Sequence, residues 1–448
     1  MKQISFHGAS GEVTGSAYVV TGEDDSKLLI DFGMFQGSRD VVALNYQPLQ
    51  FDPAQLSGVF LTHAHLDHCG RLPMLVYKGF EGKIYMTEPT FALMEVVLRD
   101  AAKIAETKTE YEPLYTTEEV EKLLQMVEIV KYKEDISVGS FSVQLRDAGH
   151  ILGSASVVVT DTKDNKKAVF SGDLGNTPED IIQPTDFIDE ADYVIMETTY
   201  GDKVHPVEDP SAIILEEINA VESGGGVLLL PAFSLERTQE LLHRIYHMKD
   251  SGQMQADTPV FMDSPMGIRA TTIFKQFREF YNEELQSHND DPFSFEGLAV
   301  TEDPRDSKDI LKAMEPKIII AGSGMLSGGR ILHHALNYLP YSTTHLLFVG
   351  YQAEETLGRR ILEGAKNVKI YDKNIKVKAQ VRALKTMSSH ADQHKLLDWL
   401  GHIKGIKKVF LIHGEQDQRL TFEKVAKEKL HITDITLPAM NSVYELNN

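Results

Sequence analysis

The sequence is poor in cysteine, short of positive charge and without any long apolar run. Cys69 is the single cysteine in 448 residues. No intrachain disulfide can form, so stability must come from buried cores. This usage fits a reducing compartment, and a cytoplasmic location is the expectation. No apolar stretch approaches the ~18 residues of a membrane span. The strongest, 227–231 and 317–321, read as buried strands, and no membrane association is expected. The opening MKQISFHGASGEVTGS turns polar and glycine-rich at once, unlike a secretory leader. Basic residues number 45 against 66 acidic ones, a formal net charge of −21. So acidic a chain repels polyanions at long range, and any nucleic-acid function must rest on a local basic patch or on metal ions. The remainder is ordinary: 42% hydrophobic and 25% charged residues. That balance excludes a disordered, collagenous or coiled-coil chain. The length fits two or three domains.

The patterning changes character along the chain. Short strands separated by Gly/Asp turns are predicted over 3–8, 16–21, 27–31 and 59–62. Helices follow over 92–105 and 116–130, the second opened by a capping box at Thr116 and Glu119. Strands return at 141–147, 155–160, 168–171 and 193–197. From about residue 206 helices and strands alternate (210–221, 226–231, 235–248, 259–263, 267–280, 317–321, 330–339, 344–349), which predicts a parallel sheet with crossover helices. The acidic stretch 283–309 reads as a solvated loop. A strand (376–381), a helix (393–401) and a strand (408–413) close the chain.

The strongest chemical signal is Thr62-His63-Ala64-His65-Leu66-Asp67-His68, directly after the apolar strand end at 58–61. Imidazole and carboxylate ligands suit zinc, and a loop leaving a strand can aim several at one point. Four ligand types in six positions can serve two metals if alternate side chains diverge. Other candidates also sit just past strands: Asp31, His150, Asp173 in Ser-Gly-Asp-Leu-Gly, and His413 in Ile-His-Gly-Glu. Each alone reads as a turn residue or a satisfied polar group. Together they read as one site at one sheet edge.

Asp31, His63-x-His65-x-Asp67-His68, His150 and Asp173, in that order, resemble the metallo-β-lactamase superfamily. Glu197 in Met-Glu-Thr-Thr-Tyr-Gly, His390 in Ser-Ser-His-Ala-Asp and His413 narrow the resemblance to the β-CASP nucleases, relatives of the mRNA 3′-end processing endonuclease. It extends to Pro231-Ala-Phe-Ser-Leu-Glu-Arg-Thr-Gln-Glu, Asp263-Ser-Pro-Met and Gly322-Ser-Gly-Met-Leu-Ser-Gly-Gly-Arg330. Relatives often carry Gly where Ser389 stands. The resemblance implies an α/β fold, an αββα metallo-β-lactamase sandwich (1–205, completed by 373–448) with an inserted β-CASP domain of parallel strands (206–372), and a site in the cleft between them. It resembles the short bacterial form, without a KH-type extension or an RNase J-type C-terminal domain.

The implied activity is zinc-dependent hydrolysis of RNA phosphodiesters, endonucleolytic in preference to 5′→3′ exonucleolytic. The implied cofactor is two Zn²⁺ per chain, about 3.5–4 Å apart; manganese or iron also suit such ligands. His63, His65 and His150 would hold one ion, Asp67, His68 and His413 the other, with Asp173 bridging. Asp31 would orient the His/Asp loop. His390 would be the general acid and Glu197 its partner. Cys69 reads as a small buried residue and not as a ligand.

The expected partner is single-stranded RNA; a homodimer is compatible with the resemblance but not decided by the sequence. Gly322–Arg330 could cradle phosphate, with Ser323, Ser327 and Arg330 as contacts. Residues 359–385 hold nine basic residues against Glu363 and Asp372. That leaves +7 there and −28 elsewhere. Lys376, Lys378 and Arg382 in this stripe are candidate RNA contacts; the alternative is the polar face of an exposed strand. Three other classes compete. A DNA nuclease of the superfamily usually lacks the equivalent of His413. A small-molecule hydrolase has no need of Glu197 or His390. A non-catalytic processing subunit would have lost metal ligands.

Overall fold

The computed structural model describes residues 1–107, 112–176, 180–206, 208–287, 290–353, 355–384 and 386–446. It divides into two compact units: Met1–Val204 with Phe280–Asn282 and Ser389–Asn448, and His205–Glu279 with Glu283–Ser388.

The first unit is built on two seven-stranded sheets. One runs Val443–Glu445, Gln3–Phe6, Tyr18–Thr21, Lys27–Ile30, Gly58–Phe60, Lys83–Met86 and Val127–Ile129 in spatial order. The other runs Ile435–Thr436, Lys408–Ile412, Tyr193–Glu197, Lys167–Phe170, Ala155–Asp161, Phe141–Asp147 and Ile136–Val138. Ile4, Phe6, Val20 and Leu28 from the first sheet share one core with Val143, Val157, Phe170, Ile195 and Phe410 from the second. The opposite face of the second sheet packs Val194, Met196, Val409 and Leu411 on Leu396, Trp399, Leu400 and Phe422. These last belong to helices Gln393–His402 and Gln416–Leu430. Strands covered on both faces lose polar alternation, and Lys408–Ile412 (KVFLI) and Tyr193–Glu197 (YVIME) read accordingly. These two strands and Lys167–Phe170 are parallel neighbours, so their C-terminal ends lie together. Helix Glu88–Thr107 contacts Val127–Ile129 of the first sheet, which supplies the remaining helical layer of the αββα sandwich.

The second unit is a six-stranded sheet in the order Leu298–Val300, Val260–Asp263, Lys317–Ala321, Val227–Pro231, Thr344–Phe348 and Gln380–Ala383. Every pairing in it is parallel. Parallel neighbours need crossovers, and Arg237–Asp250, Pro265–Gln276 and Ile331–Tyr338 are helices between them, while Pro210–Gly224 leads into the first strand in chain order, Val227–Pro231.

Four expectations differ from the structure. The helix expected over 116–130 keeps its capping box but ends at Leu124, and Val127–Ile129 pairs parallel with Lys83–Met86. An open sheet edge outranks helical periodicity there. The acidic loop expected over 283–309 contains helices Glu283–Ser287 and Pro304–Asp309 and the edge strand Leu298–Val300. The strand expected over 376–381 is two: Lys373–Lys376 pairs with Asn367–Ile370, and Gln380–Ala383 pairs with Thr344–Phe348. That last pairing assigns 373–388 to the second unit, whereas the sequence reading returned the chain to the first unit at 373.

Candidate metal centre

Most of the implied site residues follow the ends of strands of the first unit, while Asp67 and His68 lie on the short helix Leu66–Cys69 that His65 opens. Asp31 follows Lys27–Ile30, and His63 follows Gly58–Phe60 by three residues. Asp173 and His150 each stand three residues beyond their strands, Glu197 is the last residue of its strand, and His413 is the first after Lys408–Ile412. Asp31 and His413 have φ of 59° and 46°, a left-handed conformation that costs free energy and persists where function needs it. Close packing fixes the loops. A Cβ on Gly33 would stand 1.5 Å from the Asp67 carbonyl oxygen, so only glycine allows the Asp31 loop to lie on the His/Asp loop.

The ligand atoms converge in two groups, His63, His65, His150 and Asp173, and Asp67, His68 and His413, each within 4.8 Å. His63 Nε2 is 3.1 Å from His65 Nδ1, which is 3.2 Å from His150 Nε2. His68 Nε2 is 3.3 Å from both His413 Nε2 and Asp173 Oδ2. The chain holds the ring nitrogens that face away. Asp31 Oδ2 is 2.8 Å from His68 Nδ1, Thr62 Oγ1 3.0 Å from His63 Nδ1, the Ser389 carbonyl 3.0 Å from His150 Nδ1, and Thr199 Oγ1 3.0 Å from His413 Nδ1. Such partners fix tautomer and orientation and leave the other nitrogen aimed inward.

The electrostatics agree with a cation site. Burial lowers His63 and His150 well below the usual imidazole range and His65 to about 4. Burial opposes the ionised form of Asp67, but His413 and His68 outweigh it and hold it at about 2. Asp173 is likewise held ionised, by His413, His68 and His390 against burial. Neutral imidazoles and ionised carboxylates are the forms that bind metal. His68 differs: burial opposes its charge, but Asp173 and Asp31 outweigh it and raise its pKa, so a bound cation would have to displace its proton. Asp173 Oδ1 is buried without a hydrogen-bond partner, which leaves a costly orphan unless a cation takes it. The donor set therefore fits the two ions that the resemblance implies. Cys69 is outside it: the buried sulfur donates to the Ala64 carbonyl at 3.5 Å.

His390 stands beside this cluster, its side chain 22% exposed while that of His63 is fully buried. Its Nδ1 is 3.3 Å from Glu197 Oε2 and 3.8 Å from Asp173 Oδ2. Burial opposes its charge, but the Glu197 and Asp173 carboxylates prevail and push its pKa up to about 9. Glu197 is itself fixed by the Leu174 amide at 2.6 Å and the Thr199 amide at 3.3 Å. The supporting residues Thr62 and Thr199 lie inside quoted motifs but were not singled out from sequence. Threonine beside a ligand gives no signal until the fold shows which nitrogen it faces.

The expected phosphate and RNA contacts belong to the second unit. Ser323 Oγ accepts from the Ser327 amide at 3.0 Å. Arg330 is turned inward, donating to Asp263 Oδ1 at 2.6 Å and the Thr301 carbonyl at 2.7 Å. Arg382 is paired with Glu216 and Glu217 at 2.7 and 3.0 Å. Lys376 and Lys378 are exposed, and Lys385 of the same stripe lies outside the described residues.

Comparison with known proteins adds three family matches: the metallo-β-lactamase superfamily over 10–216, the Beta-Casp domain over 238–361, and the Zn-dependent metallo-hydrolase RNA specificity domain over 374–438. The chain is 39% identical over 429 residues to Ribonuclease TTHA0252 of Thermus thermophilus, covering 95% of this chain and 96% of that one.

The chain belongs to the β-CASP family of the metallo-β-lactamase superfamily.

Two relatives from Methanocaldococcus jannaschii extend the β-CASP comparison. An RNase J-like protein is 29% identical over 96% of this chain and 97% of its own. Transcription termination factor FttA is 30% identical over 94% of this chain and 68% of its own. A crystal structure of a protein of unknown function from Enterococcus faecalis V583 shares the fold, with a TM-score of 0.59 at 13% identity, covering 99% of this β-CASP chain and all of that one. Among the described residues, no helix is long and apolar enough to cross a membrane.

Proposed function

We propose that this β-CASP protein is a zinc-dependent ribonuclease that cuts RNA internally. The observation that carries the reading is the adjacency of His390 to the convergent ligand set, with Nδ1 held by Glu197. A small-molecule hydrolase needs the ligands but not this acid. The match to an RNA specificity domain and the ribonuclease relatives support RNA as the substrate.

His63, His65 and His150 would hold one ion and Asp67, His68 and His413 the other, with Asp173 between them. Two such ions supply an activated water near neutral pH and neutralise charge on the phosphate. The chain's own work is positional. Asp31, Thr62, Thr199 and the Ser389 carbonyl keep the imidazoles aimed inward. Glu197 accepts from His390 Nδ1–H, so Nε2–H is left to donate to the departing ribose oxygen. Protonated at neutral pH, His390 acts as general acid, a role typically contributing about 10²–10⁴-fold. Ser323 and Ser327 remain candidate phosphate contacts. Arg330 and Arg382 are committed to carboxylates and are better read as structural. A cytoplasmic location is part of this proposal, and a homodimer is compatible with it.

The test is incubation of purified protein with 5′-labelled RNA, 5′-blocked RNA and matched DNA, with and without chelator. RNA cut regardless of its 5′ end, DNA spared and activity lost to chelator are expected. Equal cleavage of DNA, or activity insensitive to chelation, would defeat the reading.

A further inference from the structure

The antiparallel ribbon of Asn367–Ile370 and Lys373–Lys376 separates two kinds of side chain. Val368, Ile370, Ile375 and Val377 pack on the core of the second unit. Lys366, Lys369, Lys373, Lys376 and Lys378 are exposed. The ribbon is anchored at the end away from its turn: the Lys378 and Ala379 amides donate to the Leu339 carbonyl at 2.8 and 3.1 Å, and the Val377 amide to the Lys366 carbonyl at 2.9 Å. The acid within the ribbon is Asp372, fully exposed and 3.7 Å from Lys369. Exposed pairs of that kind neutralise little. Among the described residues no carboxylate pairs with Lys366, Lys373, Lys376 or Lys378. Tyr371 stands at the turn with φ of 52° and 60% of its surface exposed.

From this surface we infer that the ribbon binds single-stranded RNA, its lysines tracking phosphates and Tyr371 stacking on a base. The inference rests on the ribonuclease reading for the choice of RNA. The charge complementarity is local: a cluster of lysines in a chain of net charge −21 draws a polyanion to one place. Lys376 and Lys378 are alternate residues, about 6.6 Å apart where the backbone is extended, close to the spacing of successive phosphates in an extended strand. An aromatic among such lysines suits a single strand, whose bases are free to stack. A duplex keeps its bases inside and offers Tyr371 nothing. Arg382, expected in the same track, lies outside the ribbon on Gln380–Ala383, with Nη1 shared between Glu216 and Glu217, and is not part of this inference.

The test uses the full chain and a single-stranded RNA of about 25 nucleotides, longer than typical single-strand site sizes. Anisotropy reads binding and initial rates read kcat and KM. Replacing all five lysines by Ala should weaken binding, raise KM and flatten the salt slope by about 3 to 4, since roughly 0.7 of a counterion per contact is no longer released. Tyr371→Ala should weaken binding about 5- to 100-fold, and Tyr371→Trp should restore it. Unchanged kcat and metal content show that both variants are folded, because contacts of this kind hold ground and transition states alike. Blunt duplex RNA should respond to the lysines but not to Tyr371. Wild-type affinity and salt slope in the five-lysine variant would overturn the inference, as would a Tyr371 dependence equal for duplex and single strand. A chain that binds RNA through the ribbon yet cleaves none would sink the ribonuclease reading and leave the ribbon assignment standing.

Discussion

Asp263 is the residue whose replacement should damage the second unit most. It ends the strand Val260–Asp263 and is completely buried. Its two oxygens accept from four donors: Arg330 Nη1 at 2.6 Å and Thr301 Oγ1 at 2.7 Å on one, Ser307 Oγ at 2.6 Å and His334 Nε2 at 2.7 Å on the other. Burial opposes the charge, but these donors outweigh it and hold the carboxyl well below the usual carboxylate range. Asp263→Ala strands an arginine and three polar groups at once. Breaking such a buried pair costs about 3–5 kcal/mol. Asp263→Asn keeps the shape but presents an amide donor to at least one of the four, costing about 1–3 kcal/mol. The sign of the pH dependence follows from the lowered pKa. The stabilisation is complete above the ordinary carboxylate range and is lost as pH falls through the folded-state pKa. Urea denaturation read by circular dichroism at neutral and acidic pH measures both effects. An Ala variant within about 1 kcal/mol of wild type, the cost of an ordinary substitution, would refute the assignment of this network as a structural keystone.

Four further substitutions have expected outcomes at the metal centre. Asp173→Ala should lose metal and activity together by elemental analysis and RNA cleavage, whereas wild type purified without chelator should carry close to two ions per chain. His390→Ala should keep its metal while kcat falls about 10²–10⁴-fold. With its pKa raised to about 9, the acid is present below that pH and lost above it, so kcat should fall on the alkaline side. Glu197→Gln should move that fall toward neutrality in a pH–rate profile. Asp31→Ala frees His68 Nδ1 and strands the Thr62 amide and hydroxyl, so it should weaken metal affinity about 10- to 100-fold in a chelator competition and also lower the urea midpoint.

The two halves of the molecule were unequally readable from sequence. Ligand-type residues placed just beyond apolar strands mark a sheet edge, because strand length and direction are written in local periodicity. For that reason Asp31, His63, His150, Asp173 and His413 could be placed together before any coordinates. The second unit's motifs misled in a specific way. The glycine-rich segment ending at Arg330 was expected to cradle phosphate, yet Arg330 and Asp263 hold each other. A pairing across so many residues has no local signature. Arg382 likewise sits in a basic run, and only the pairing of Gln380–Ala383 with Thr344–Phe348 shows which strand carries it to Glu217. The break between Lys376 and Gln380 escaped notice because alternation continues across it: Lys376, Lys378 and Gln380 are all exposed. Two strands in different sheets share one period.

The central claim is an internal RNA cut made at this metal centre, and a closed circular RNA tests it without any contribution from chain ends. Purified wild-type protein should linearise the circle, chelator should abolish the reaction, and His390→Ala should slow it by at least about 10²-fold. A circle left intact by protein that degrades the linear form of the same RNA would contradict the account.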